Sequence, residues 1–238
     1  MKAVLCDNRI SAAMERRLRV FGYYVIKLPR CSALPEAICS HPDSLIFRLG
    51  DMLVTTCDYG EEAAYVFSDI RETGAMARLS FIDETLGKSY PQDARLNAVS
   101  VGKILVVNEK TIAPQILEIS KNAGYIPQNV NQGYPNCSIL RLNDKNVITA
   151  DAKIAEKLSA LGINTLLIST GHISLPPYEY GFIGGASGVD GERVYFLGDF
   201  RLHPDGERME RFIRNTAMTP VSLSDEPLSD LGGLIFLS

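Results

Sequence analysis

The chain has 238 residues, 28 acidic against 24 basic side chains for a net charge of −4, with 46 % apolar and 22 % charged residues. That composition belongs to a folded globular protein and excludes disordered, collagen-like and coiled-coil chains. The mildly acidic balance argues against a nucleic-acid binder, and no apolar run approaches the roughly 18 residues of a membrane span.

In chain order, the first unit is a β-rich run over 2–7 ending in Asp7, a helix over 11–20, Gly22, and a strand over 24–28. Its opening residues are too few and too polar for a signal-peptide core. Five cysteines (Cys6, Cys31, Cys39, Cys57, Cys137) are irregularly spaced without a Cys-x-x-Cys pair, and the histidines are scattered at 41, 172 and 203. A disulfide framework and a zinc site are both disfavoured, and the expected compartment is the cytoplasm. No cofactor or metal is expected.

The second unit runs from a strand over 52–58 ending in Asp58, through a helix to 72 and Gly74, to a strand near 76–81. The third runs from 104–108, ending in Asn108, through a helix over 112–122 and Gly124 to 125–126. The fourth takes 147–151 with Asp151, a helix over 152–160, Gly162 and 165–168. The fifth takes 194–199 with Asp199, a helix over 205–214, Asn215 and 221–223. Asp or Asn after a strand can cap the free N–H groups of a turn or helix start. Gly or Asn after the helix supplies the left-handed residue that ends it. Apolar spacings of three and four, as in Ile112, Ile116, Leu117 and Ile119, define the helices.

The anchors Asp7, Asp58, Asn108, Asp151 and Asp199 recur at intervals of 51, 50, 43 and 48 residues, and the interval across the chain ends is 46. Five steps of similar length that include the ends describe a closed ring rather than an open solenoid. Each anchored strand has a partner before it, at 44–50, 98–102, 138–143 and 182–188, with Asp190-Gly191 as a hairpin signal. For the first unit that partner is 233–238, so the two ends of the chain complete one hairpin. The expected architecture is α/β: one domain over 1–238, five β-β-α-β blades around an axis, helices outside. Closure removes open sheet edges.

Five such blades in a ring resemble the pentein fold, shared by arginine deiminase, dimethylarginine dimethylaminohydrolase, amidinotransferases and a ribosome anti-association factor. His41-Pro-Asp43, Tyr90-Pro-Gln-Asp93 with Leu96-Asn97, 132–138 and 180–185 resemble an uncharacterised bacterial family of this fold. The resemblance implies a nucleophilic Cys in a Gly-rich segment near the C-terminus and a His at the start of a mid-chain unit. Here the first segment is Leu231-Gly-Gly-Leu-Ile-Phe-Leu-Ser238, without Cys, and the second is Gly133-Tyr-Pro-Asn-Cys137, without His.

A step of 14 or 15 residues back from each anchor lands on Asp43, Asp93, Cys137, Gly184 and, around the ring, Asp230. These are expected to face the axis at one mouth, beside His41, Asn97, Tyr134 and Tyr180. Carboxylates there could hold a guanidinium by paired hydrogen bonds, with Cys137 as nucleophile and His41 as acid/base. Asp43 and Asp93 also fit ordinary turns, Cys137 also fits a buried structural position, and His172 and His203 fit loops. Arg16, Arg17, Arg208, Arg211 and Arg214 fit solvated helix faces. Two readings therefore stand: an enzyme acting on C–N bonds of a small guanidino or amidino compound, or a non-catalytic protein holding a small cation or a partner. The oligomeric state is not legible.

Overall fold

Strand β1 (Ala3–Asp7) is buried over its whole length. Such a strand needs hydrogen-bonded neighbours on both edges and apolar cover on both faces. After β1 the chain continues as α1 (Ala12–Val20), β2 (Tyr24–Leu28), α2 (Pro42–Leu45), β3 (Phe47–Leu49), β4 (Met52–Thr56), α3 (Cys57–Glu62), α4 (Ala64–Glu72) and β5 (Arg78–Ile82). Then come β6 (Val99–Val101), β7 (Ile104–Val107), α5 (Pro114–Asn122), β8 (Ile126–Asn129), α6 (Pro135–Ser138), β9 (Ile139–Arg141), β10 (Asn146–Thr149), α7 (Ala152–Ala160) and β11 (Asn164–Leu167). The last stretch is β12 (Ser187–Asp190), β13 (Arg193–Phe196), α8 (Gly206–Arg214), β14 (Thr219–Ser222) and β15 (Ile235–Leu237). This computed structural model describes residues 2–237. Ser238, the last residue of the expected closing strand, lies outside the described residues.

Among the described residues the strands form five three-stranded sheets: β15-β1-β2, β3-β4-β5, β6-β7-β8, β9-β10-β11 and β12-β13-β14. In each, the central strand pairs antiparallel with an inner strand and parallel with an outer one. A parallel partner requires a crossover, and the helix of each unit supplies it. The inner strand of the first sheet comes from the other end of the chain, with Ala3 opposite Leu237 and Leu5 opposite Ile235.

The inner strands neighbour one another in a closed order. β3 packs on β6, β9 on β12, and β12 on β15. Arg48 of β3 donates to the Phe236 carbonyl of β15 at 2.6 Å. Arg141 of β9 donates to the Ser100 carbonyl of β6 at 3.3 Å. The helices lie outside. In α8, Met209 and Ile213 are buried while Arg208, Arg211 and Arg214 face solvent. Arg16 and Arg17 of α1 are exposed likewise. Apolar cores fill the spaces between adjacent blades.

Two local expectations are corrected. Asp58 is exposed inside α3, and the residue that caps this helix is Thr56, whose hydroxyl accepts from the Tyr59 N–H. Thr56 ends β4 opposite Ile82 as Asp7 ends β1 opposite Leu28, so a hydroxyl does here what an acid does elsewhere. Of the anchors, Asp151 caps an α-helix and Asp199 a short 3₁₀ turn. Asp7 and Asn108 instead accept from the N–H two residues on, closing turns before the helix begins. Gly22, Gly74, Gly124 and Gly162 end their helices with positive φ as expected, whereas in the fifth unit the left-handed residue is Ala217, at φ 61°, and Asn215 stays right-handed.

An L-residue other than Gly in that region costs about 1–2 kcal/mol. Ala217→Gly is therefore expected to stabilise the fold by about 1 kcal/mol, a rise of roughly 2–4 °C in Tm. Calorimetry on the two proteins checks this, and an unchanged or lower Tm would refute it.

Candidate functional site

At one mouth of the ring, five turns precede the five inner strands. Two are single helical turns, α2 and α6, each started by a proline whose missing N–H costs nothing at a helix's first position. A 3₁₀ turn over Gln92–Ala94 is the third. The turn before β12 carries Gly184, and the segment before β15 carries Asp230. The residues reached by stepping back from the anchors thus all lie in equivalent axial turns.

His41, 1 % exposed, sits at the centre of a carboxylate group. Its Nε2 lies 3.7 Å from Asp7 Oδ2. Its Nδ1 lies 3.7 Å from Asp230 Oδ1 and 3.9 Å from Asp43 Oδ1. Asp7 is neutralised by Arg9, whose Nε and Nη2 donate to its two oxygens at 2.9 and 2.6 Å. Asp230 is cradled by backbone: the N–H of Gly232 donates to Oδ1 and that of Phe182 to Oδ2. A Cβ on Gly185 would stand 2.0 Å from Asp230 Oδ1, so only glycine admits this carboxylate.

The Cys137 sulfur accepts from Asn97 Nδ2 at 3.0 Å and lies beside the Asp43 carboxyl. The same Asn97 amide donates to the Asp43 carbonyl at 3.1 Å, and its Oδ1 accepts from the Asn136 N–H at 2.8 Å. Asn97 therefore ties three blades together. Asp93 accepts from the Tyr134 hydroxyl at 3.0 Å and stands behind that ring. Its other oxygen is buried without a hydrogen-bond partner among the described residues.

His41, Cys137 and Asp230 form the polar end of a cavity of about 330 Å³. Tyr134, Tyr178, Tyr180, Phe182, Leu175 and Ile38 form its walls, and Ser44 and Glu179 also line it. Among the described residues, none that lines this cavity is Lys or Arg. Burial raises Asp43 to about 6, and burial together with the Asp43 charge raises Asp230 to about 7. Burial pushes His41 down to about 4, against the pull of Asp7. Burial, then the charges of Asp43 and Asp230, raise the Cys137 thiol well above its ordinary value. The upward shifts of Asp43, Asp230 and Cys137 would be relieved by one positive charge placed in the cluster, which would also hold His41 neutral. A small organic cation could supply it. So could a metal ion, since donor atoms of His41, Asp43 and Asp230 lie within 4.8 Å of one another.

Of the residues expected at the axis, Cys137, His41, Asp43, Asn97 and Asp230 come together, and Tyr134 and Tyr180 line the cavity above them. Asp43, Asp93 and Asn97 stand outside the cavity lining, and Gly184 faces the opposite side of the turn, against the carbonyls of Asn136 and Cys137. Sequence reasoning missed Asp7 behind His41, and it missed Tyr178, Glu179 and Phe182. The cluster Tyr178-Glu-Tyr-Gly-Phe182 was a visible aromatic signal. His172 is exposed and meets His203 edge-on, away from the axis. The Gly-rich segment without cysteine also acquires a reason. Gly232 has φ +71°, and a Cβ there would stand 2.4 Å from the His41 Cβ, so His41 fills the space a side chain would need.

Residues 5–235 match the model of a family of unknown function, DUF6873, and the chain belongs to that family. No curated protein sequence matches it. Among solved structures it is similar to dimethylarginine dimethylaminohydrolase from Pseudomonas aeruginosa, with TM-score 0.57 and 11 % identity over 94 % of this chain and 92 % of that one. It is also similar to inosamine-phosphate amidinotransferase from Streptomyces griseus (0.53, 12 %, over 92 % and 75 %). A third likeness is agmatine deiminase from C. jejuni (0.53, 9 %, over 94 % and 86 %). The fold is the pentein fold. No helix among the described residues is long and apolar enough to cross a membrane.

A carboxyl held at about 6 instead of about 4 costs roughly 3 kcal/mol once ionised. The folded state then binds more protons than the unfolded state, so this group's contribution falls as pH rises from about 4 to about 6. Asp43→Asn is expected to stabilise the protein by up to about 3 kcal/mol above pH 6, by about half that at pH 5, and by little near pH 4. Urea melts across that range check it; a gain independent of pH would contradict the assignment.

Proposed function

We propose, for this member of the family, that the axial cavity takes a small guanidino or amidino compound, its cationic head seated on Asp230 beneath the aromatic walls, with the Asp43 carboxyl behind the site adding negative field. The observation that carries the reading is the buried Asp230 carboxyl facing a cavity whose lining, among the described residues, holds no Lys or Arg, with buried Asp43 behind it, 3.9 Å from His41. A planar amidinium matches the geometry of carboxylates by paired, charge-assisted hydrogen bonds. Faces of tyrosine and phenylalanine add a favourable field for a cation. The likeness to guanidine-modifying enzymes supports this at the level of fold.

In the catalytic form of the proposal, Cys137 Sγ attacks the amidino carbon. The bound cation offsets the carboxylate field that keeps the thiol protonated. The thiol proton passes to neutral His41, whose other nitrogen faces Asp7, and returns to the nitrogen that leaves as the C–N bond breaks; water then attacks the sulfur-bound carbon, the C–S bond breaks and Cys137 regains its proton. The non-catalytic form draws on a different observation. Among the described residues Cys137 has no cationic partner, and its acidity is suppressed from three sides.

Titration calorimetry with agmatine, L-arginine and benzamidine, paired with an ammonia and urea release assay, separates these forms. Saturable binding that weakens at least 10-fold in Asp230→Asn is expected, since a hydrogen bond to a charged group contributes about 1.5–3 kcal/mol. In the catalytic form Cys137→Ala abolishes turnover while affinity stays within a few-fold. Binding with no turnover selects the non-catalytic form. Indifference to all three cations, with Zn²⁺ or Mn²⁺ bound at one equivalent, sinks the reading and leaves the cluster to a metal.

A further inference from the structure

The opposite mouth of the ring has the reverse chemistry. A second cavity of about 130 Å³ enters from the hairpin side and ends near Asp43. Arg48 of β3 and Arg141 of β9 line it, with Ser100 of β6 between them in ring order. Arg48 is largely withdrawn from water, its Nε donating to the Gly50 carbonyl and one Nη1 hydrogen to that of Phe236. Arg141 Nη1 donates to the Ser100 carbonyl at 3.3 Å and approaches its hydroxyl at 3.5 Å. Those contacts leave Arg48 Nη2 and Arg141 Nε and Nη2 with donors to spare, because a guanidinium carries five. Among the described residues neither arginine forms an ion pair with a carboxylate. The charge of Arg141 works against that of Arg48, and Asp190, the acid acting on Arg48, is itself paired with Lys2 at 2.8 Å. Asp43 is the one carboxylate on the lining among the described residues. It lies at the inner end, and its Oδ1 accepts from the Ser44 hydroxyl.

We propose that this mouth is a binding site for a small tetrahedral oxyanion, of the phosphate or sulfate type, bridged by Arg48 and Arg141 over Ser100. Two forked donors set on either side of one strand match the several oxygens of such an ion. A partly buried guanidinium such as Arg48, without an ion-pair partner, gains more from an anion than a fully exposed one would. The site is independent of the acidic cavity, which lies on the other side of the axial turns.

Titration calorimetry of the full chain with sodium phosphate and sodium sulfate at low ionic strength tests it. One saturable site is expected, weakened at least 10-fold in Arg141→Gln and in Arg48→Gln, and unchanged in Arg208→Gln. Arg141 is exposed, so its variant keeps the test alive if Arg48→Gln fails to fold. No saturable binding, or binding that Arg141→Gln leaves intact, overturns the proposal. Acetate bound as tightly as phosphate overturns the tetrahedral class.

Discussion

Everything at the axis depends on the pairing of β1 with β15. That antiparallel contact sets Ala3 against Leu237 and closes the ring. It also brings Asp230 and Gly232 against His41 and Asp43, where the Asp43 N–H donates to the Gly232 carbonyl at 3.1 Å. Without it the first blade would keep an open edge on a strand buried throughout. The axial turns would lose the neighbour that holds the His41 ring in place.

The closed ring lets one scaffold carry two opposed charge environments a short distance apart. Equivalent turns present Cys137 and Asp230 at one mouth, and equivalent strands present Arg48, Ser100 and Arg141 at the other. Asp43 lies at the divide, touching Cys137 on one side and lining the second cavity on the other. The five blades share one strand order and differ in their axial side chains, so the chemistry depends on a handful of positions.

Much of this was legible in the residues. The repeating order of apolar strand, polar anchor, amphipathic helix and glycine defined five blades, because each part answers a local backbone need. The step back from the anchors located the axial turns. Asp43 was reached from Asp58, whereas the residue equivalent to the other anchors is Thr56, two residues earlier. What escaped reading was set by contact rather than pattern. The approach of Asp7 to His41, the role of Asn97 as a tie among three blades, and the standing of Asp93 behind Tyr134 all depend on side-chain directions. Ala217 at a left-handed position also escaped, since sequence logic places Asn or Gly there.

The pairing of the first and last strands also orders events in time. Residues at the two ends of the described chain must meet before the axis is complete, a contact of nearly maximal sequence separation and slow to form. As the chain emerges during synthesis, the second to fifth blades can form from local segments. His41 and Asp43 stay hydrated until β15 docks. The cost of withdrawing their charges from water therefore falls on the last step of assembly, so the site and the finished ring arise together.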